Sequence, residues 1–289
     1  MSKVYLTIDF EDFSYDLKRS FGIKENRLNT DALYSTFLKI DAFCEKHLAN
    51  QKITFFCTGV IAEKYPEIIS EISKKGHEVA CHSFFHERVN SMQLNQFEYD
   101  IQKATEILEK YSNQKTVGFR APFFSINTSN WEYYQIIQKY FEYDSSLHFN
   151  QLEEVEKFKS ILKIDKLKLL PVPSVKISSF LHLKLGGTAF KIMPLNIINK
   201  LIQNIFDKKL IPIIYLHPYE FFDDFSFYVP KHELAELSFL RRNYWALRQY
   251  QWHKLGNKNV IPKLIDIFDN FEGGNFTKNI INAYEKENI

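Results

Sequence analysis

His82 and His86 stand four residues apart in Cys81-His82-Ser83-Phe84-Phe85-His86, directly after the small and β-branched run Glu78-Val79-Ala80. On a helical turn, side chains at i and i+4 share one face, so both imidazoles can reach a single cation. A chain with nine histidines also produces close pairs by chance, and the pair alone fits a surface turn. Its company gives it weight. Asp9-Phe10-Glu11-Asp12 precedes it, and Arg120-Ala121-Pro122, Asp144 and Leu216-His217-Pro218 follow, each where a hydrophobic run stops. Two neutral imidazoles and one carboxylate hold Zn²⁺ or a similar divalent ion with one position left open. Such an ion acidifies water and polarises a carbonyl, while a second carboxylate serves as base and a histidine across the pocket protonates a leaving amine. Asp9 and Asp12 supply the carboxylates, His82 and His86 the imidazoles and His217 the acid, so the expected chemistry is amide or ester hydrolysis.

The elements that position these groups alternate. Residues 4–8 form a β-rich run ending in the acidic cluster, and residues 31–48 repeat apolar side chains at helical spacing. A strand is predicted over 53–57, a helix over 60–75 closed by Gly76 in a left-handed C-terminal position, and a strand over 77–81. The rhythm continues with a helix over 94–111, a strand over 116–119, a helix over 130–139 and a strand over 141–143. A less regular middle has a strand-like run at 169–172 and a turn at Gly186-Gly187; a helix over 194–206 and a strand over 211–216 follow, with Pro212 near the strand's start or on an edge. Two helical segments, 231–252 and 259–271, finish the chain. The expected architecture is therefore α/β, a (β/α) barrel or a distorted variant, as one domain over 1–289 with its core at about 3–220 and a helical extension at about 230–275. Active sites of such barrels lie at the C-terminal ends of the strands, where the candidate residues all fall.

Composition narrows the function. Apolar residues make up 45% and charged residues 25%, which suits a globular fold, and a net charge of +2 gives no general attraction to nucleic acid. The aromatic share is high at 16%, which fits a bulky core or surfaces that stack sugars or meet lipid. Cys44, Cys57 and Cys81 are odd in number and lack CxxC spacing, so no disulfide framework is expected. The first residues are too short an apolar run for a signal-peptide core, and no run reaches the roughly 18 apolar residues of a spanning helix. The expectation is a cytoplasmic protein whose membrane contact, if any, is peripheral, at the inner face.

Five segments in order, Thr7-Ile8-Asp9-Phe10-Glu11-Asp12, His82-Ser83-Phe84-Phe85-His86, Arg120-Ala121-Pro122-Phe123, Asp144-Ser145-Ser146 and Leu216-His217-Pro218, resemble the motifs of the polysaccharide deacetylases with the NodB homology domain. The resemblance covers about residues 3–220. It implies a distorted (β/α) barrel and the metal-dependent removal of an N-acetyl group from an amino sugar, with one divalent ion, Zn²⁺ first and Co²⁺, Ni²⁺ or Mn²⁺ as alternatives. By position it implies Asp9 as catalytic base and His82 and His86 as metal ligands. Arg120 would hold the base ionised, the backbone N–H of Phe123 would stabilise an oxyanion, Asp144 would orient His217, and Leu216 would wall the acetyl methyl. Tyr219-Glu220-Phe221 and the later Arg241-Arg242-Asn243-Tyr244 look like a subgroup associated with bacterial polysaccharide assembly; for a cytoplasmic protein the accessible substrate sugars would be nucleotide- or polyprenyl-linked. The first motif departs from the family's closely spaced aspartates. On a strand, i+2 would offer Glu11 to the face of Asp9, whereas a turn after Asp9 would offer Asp12, the favoured ligand here.

Taken singly, Asp9–Asp12 could be a solvated strand end, Arg120 a surface arginine, His217 a core histidine and Asp144 with its serines a cap. Ordered and all at strand ends, they favour a functional reading together. Rival functions are another barrel amidohydrolase, allantoinase-like, and a carbohydrate-binding protein that has lost turnover. The segment 239–252 carries Leu240, Tyr244, Leu247 and Gln251 on one helical stripe, which points to core packing; its arginines and aromatics would otherwise form a basic face for phosphate-bearing or lipid-linked substrate.

Overall fold

Residues 5–10 form a strand, β1 (Tyr5–Phe10), buried along its whole length, and it lies next to one edge of a seven-stranded sheet. The computed structural model describes residues 3–24, 26–164, 166–176, 182–276 and 279–280. After β1 come α1 (Phe13–Ser20), α2 (Thr30–His47), β2 (Thr54–Cys57), α3 (Gly59–Lys64), α4 (Pro66–Lys74) and β3 (Glu78–Cys81). The alternation continues through α5 (Leu94–Ser112), β4 (Gly118–Phe119), α6 (Trp131–Tyr140), β5 (Tyr143–Asp144), α7 (Leu152–Leu162) and β6 (Lys168–Leu169). An antiparallel pair, β7 (Ser174–Lys176) and β8 (His182–Lys184), then leads to α8 (Gly187–Ile192), α9 (Leu195–Asp207), β9 (Ile213–Leu216), α10 (Phe239–His253) and α11 (Val260–Asn270).

The large sheet has the order β6-β5-β4-β3-β2-β1-β9, and every pairing in it is parallel. It curls without closing: among the described residues β6 and β9 are its two ends, so the fold is the distorted, open barrel expected from the strand–helix rhythm. The outer side of β9 is met by the turn before α8, through a bridge between Gly186 and Tyr215.

The pleat divides each strand between two cores. Leu6, Ile8, Phe10, Phe55, Cys57, Val79, Cys81 and Leu216 join the large cluster beneath the helices. Tyr5, Phe56, Ala80, Tyr143 and Ile213 point to the other side, and Asp9, two residues from Thr7 on β1, shares their face. All three cysteines are buried and free, in agreement with the absence of a disulfide framework. Val260, Leu264, Ile267 and Phe268 of α11 belong to the same cluster as the strands, so this C-terminal helix is packed into the core rather than appended to it.

Three local differences from the predicted elements have physical causes. The helix expected over 60–75 is two helices, because Pro66 cannot donate to the turn before it and Tyr65 leaves the helical region at φ −142°, ψ 62°. α1, α7 and α8 fall where no helix was expected; α1 follows a polar cap at Asp12 rather than a long apolar period. Finally, His82–Glu87 is a loop and not a helical turn: Ser83 and His86 have φ of 65° and 52°, so backbone bends bring the two rings together.

Candidate active site

Strand register brings the separate segments to one rim. Ile8 is level with Leu216, so the next residues, Asp9 and His217, are neighbours, and Nε2 of His217 lies 4.0 Å from Oδ2 of Asp9. Cys81 is level with Phe119, which sets His82 beside Arg120. A cleft of about 500 Å³ opens over this rim, with Asp9, Glu11, His82, His86 and His217 in its wall.

Arg120 is completely buried and its guanidinium is held from several sides. It donates to Oδ1 of Asp9 at 2.6 Å, to the Thr7 hydroxyl at 2.9 Å and to the Ser145 hydroxyl at 2.9 Å, and it lies 4.0 Å from the centre of the Phe56 ring. Burial pushes the Asp9 carboxyl up, but the Arg120 guanidinium and the protonated His217 beside it outweigh that and hold Asp9 below the usual carboxylate range. Asp9 is thus a buried base kept ionised.

Nδ1 of His82 is 2.7 Å from the carbonyl oxygen of Arg120. A carbonyl only accepts, so Nδ1 carries the proton and Nε2 keeps its lone pair, the tautomer a metal ligand needs. Burial drives the His82 pKa down to about 4, which keeps the ring neutral. His86 presents Nε2 to Oε2 of Glu11, while its Nδ1 is 3.4 Å from Asp16. Ligand atoms of Glu11, His82 and His86 all lie within 4.8 Å of one another, and all three residues are buried. Two imidazoles and one carboxylate, buried and within reach of one another, are a donor set that fits a divalent cation.

Asp12, expected to be that carboxylate, is not in the cluster. Its Oδ1 accepts from the Tyr15 amide at 3.0 Å and the Ser14 hydroxyl at 2.6 Å, and its Oδ2 accepts from the Asn29 amide at 2.6 Å. It caps α1 and ties the start of α2 to it. Glu11, two positions from Asp9, stands with the two histidines instead.

Asp144 also stands apart from its expected role. Its carboxylate accepts from the Ser146 amide at 3.0 Å and hydroxyl at 2.6 Å, and the Ser146 oxygen in turn accepts from the Ala121 amide at 2.8 Å. This chain holds the Arg120-Ala121 bend, and burial lifts the Asp144 pKa to about 7. The carboxylate on His217 is Glu220, whose Oε2 lies 3.0 Å from Nδ1 of His217 and accepts from its backbone amide at 3.0 Å. Glu220 is fixed in turn by buried Lys191 of α8, at 3.6 Å, which also donates to the Trp252 carbonyl at 2.6 Å and Asn257 at 2.9 Å. Sequence reasoning missed this pair; the one local signal was a glutamate three residues after the histidine, able to cap its own short turn.

Burial alone would lower the His217 pKa, but Glu220, then Glu11 and Asp9, raise it to about 9. A histidine acting as general acid works while protonated, so activity should fall as pH rises through that value. Glu220→Gln removes the largest upward contribution. The alkaline limb of the pH–rate profile is expected to move to lower pH by a unit or more, on the order of the effect of an adjacent charge. An unmoved limb with normal folding would show that His217 is not the acid.

Leu216 is fully buried on the helix side of β9, so it is not a cleft wall; alternation gives that role to Tyr215. Phe123 does line the cleft, with φ 56° and its ring 4.4 Å from that of His86. The far wall, which sequence reasoning did not assign, includes Tyr219, Trp245 and Trp252.

Comparison with known proteins gives a family resemblance over part of the chain. Residues 44–138 match the polysaccharide deacetylase family model. Over that third of the chain the sequence is similar to the polysaccharide deacetylases. A peptidoglycan-N-acetylglucosamine deacetylase of Bacillus cereus is 31% identical to this chain over 84 residues, 28% of this chain and 30% of that protein. A peptidoglycan deacetylase of Helicobacter pylori is 30% identical over 97 residues, 34% of this chain and 32% of the relative. The matches thus span about a third of each relative's length. A crystal structure from Mycobacterium smegmatis, assigned to the polysaccharide deacetylases, superposes with a TM-score of 0.52 at 16% identity, covering 94% of this chain and 93% of the other, and shares the fold.

Proposed function

We propose that this chain is a member of the polysaccharide deacetylase family, a metal-dependent N-deacetylase of an amino sugar in a surface glycan or its carrier-linked precursor, with the whole chain acting as one catalytic unit. The observation that carries the reading is the meeting of an ionised base and a protonated acid, Asp9 and His217, beside the Glu11–His82–His86 donor set on one cleft wall. A divalent cation held by those three residues supplies charge that polarises a carbonyl and makes water more acidic. Asp9 accepts a proton from the attacking water, with Arg120 keeping its carboxylate ionised and aimed. His217, charged through Glu220, gives its proton to the departing amine. The backbone N–H of Phe123 is the donor for the developing oxyanion, and Trp245 and Trp252 offer flat apolar surface to a sugar ring.

The names of the relatives, which act on peptidoglycan, support an N-acetylated hexosamine as the substrate class. Elemental analysis should find about one divalent ion per chain, and acetate should be released from N-acetylglucosamine oligomers or from nucleotide- or polyprenyl-linked N-acetylhexosamine in a chelator-sensitive manner. Protein that retains no metal when offered Zn²⁺ but still binds the sugars would replace the hydrolase with a carbohydrate-binding protein.

A further inference from the structure

The outward side of α10 is an apolar stripe that none of the described residues covers. Leu240, Tyr244 and Leu247 are 79%, 56% and 67% exposed, and Phe239 and Tyr250 flank them, also exposed. The core contacts of the helix come from a different side, through Ala246, Gln249 and His253. The stripe that helical spacing assigns to the interior therefore faces solvent. Single exposed leucines are ordinary, but a row of them on one helix marks a docking surface.

Charge selects the occupant. No acidic residue occurs between Glu236 and Asp266, whereas Arg241, Arg242, Arg248, Lys254, Lys258 and Lys263 fall in that interval. At 100° per residue, Arg241 and Arg248 lie between the exposed stripe and the side bearing Trp245 and Trp252, which line the cleft. Arg248 stacks at 4.4 Å on Trp252 and Arg241 lies 5.6 Å from Phe21, so both guanidinium groups are held at that border. A helix with leucine and aromatic residues on one side, arginines along its border and no acids has the composition of an interfacial helix, whose apolar side enters the acyl boundary while its cations meet headgroup phosphates.

We propose that the outward face of α10 docks onto an anionic lipid bilayer, which places the tryptophan-lined edge of the cleft at headgroup level. The face contains none of the residues assigned to the reaction, so it stands or falls apart from the reading above.

The test is flotation of the full chain with phosphatidylcholine vesicles with and without phosphatidylglycerol. Binding is expected only to the anionic vesicles and should weaken as salt is raised. Leu240→Ser/Leu247→Ser should weaken it roughly tenfold or more, and Arg241→Gln/Arg248→Gln should weaken it comparably while flattening its salt dependence. Circular dichroism checks folding; if the serine pair melts early, the arginine pair, which leaves the apolar stripe intact, carries the test. No flotation, or flotation unchanged in the arginine pair, overturns the proposal. So does a native dimer detected by light scattering without lipid and abolished by Leu240→Ser/Leu247→Ser, which would make the face a contact between two copies.

Discussion

Glu11→Gln is expected to strip the cation from the site and abolish acetate release, whereas Asp12→Ala leaves both in place. The amide keeps the shape of Glu11 but removes the anionic oxygen that faces His86. Even outer-sphere partners of metal ligands contribute 10–100-fold to affinity, so loss of a ligand should lower it by at least about 100-fold. Asp12 does different work, because its two oxygens accept from Tyr15, Ser14 and Asn29 at the junction of two helices. Its loss should cost about 1–2 kcal/mol of stability, in the range of a buried cap. Elemental analysis after gel filtration and thermal melting separate the two effects. Metal lost with folded Asp12→Ala and kept by Glu11→Gln would return the ligand role to Asp12.

Asp9→Asn should leave the cation bound and lower turnover by about 10²–10⁴-fold, the range for removing a general base. A cost to the fold comes with it, since Arg120 is fully buried and loses its ionic partner. Removing one member of a buried ion pair typically costs about 3–5 kcal/mol. Here the Thr7 hydroxyl and the Ser145 hydroxyl still hold the guanidinium, so the lower end is expected. Turnover measured below the variant's melting range, together with metal content, distinguishes lost catalysis from lost structure. Undiminished acetate release from folded Asp9→Asn would remove Asp9 from the mechanism and with it the reaction proposed here.

Repeat and spacing made the parallel strand–helix order visible from the chain alone, as they did the arrival of Asp9, His82, Arg120 and His217 at strand ends. Those four are positioned by backbone register, and register follows from runs of buried apolar residues that any pattern analysis detects. Glu11 was visible only as an alternative to Asp12. The choice turned on where the chain bends after β1, and that bend is set by the capping of α1 and by Asn29, 17 residues further on.

The remaining roles were decided by contacts between segments far apart in sequence. Asp144 could cap its own serines or reach His217; the fold gives it Ser146, whose hydroxyl oxygen in turn accepts from the Ala121 amide, and gives His217 to Glu220, which Lys191 fixes from another helix. The stripe on α10 has the same character. Its spacing marks Leu240, Tyr244 and Leu247 as one face, but which face meets the core depends on where Gln249 and His253 find their buried partners. By itself the sequence determined the alternating fold, the rim on which the chemistry sits and the residue types available there. Only the tertiary structure decided which carboxylate serves which histidine and which side of α10 stays in water, because side-chain pairing depends on distances across the fold that local periodicity does not encode.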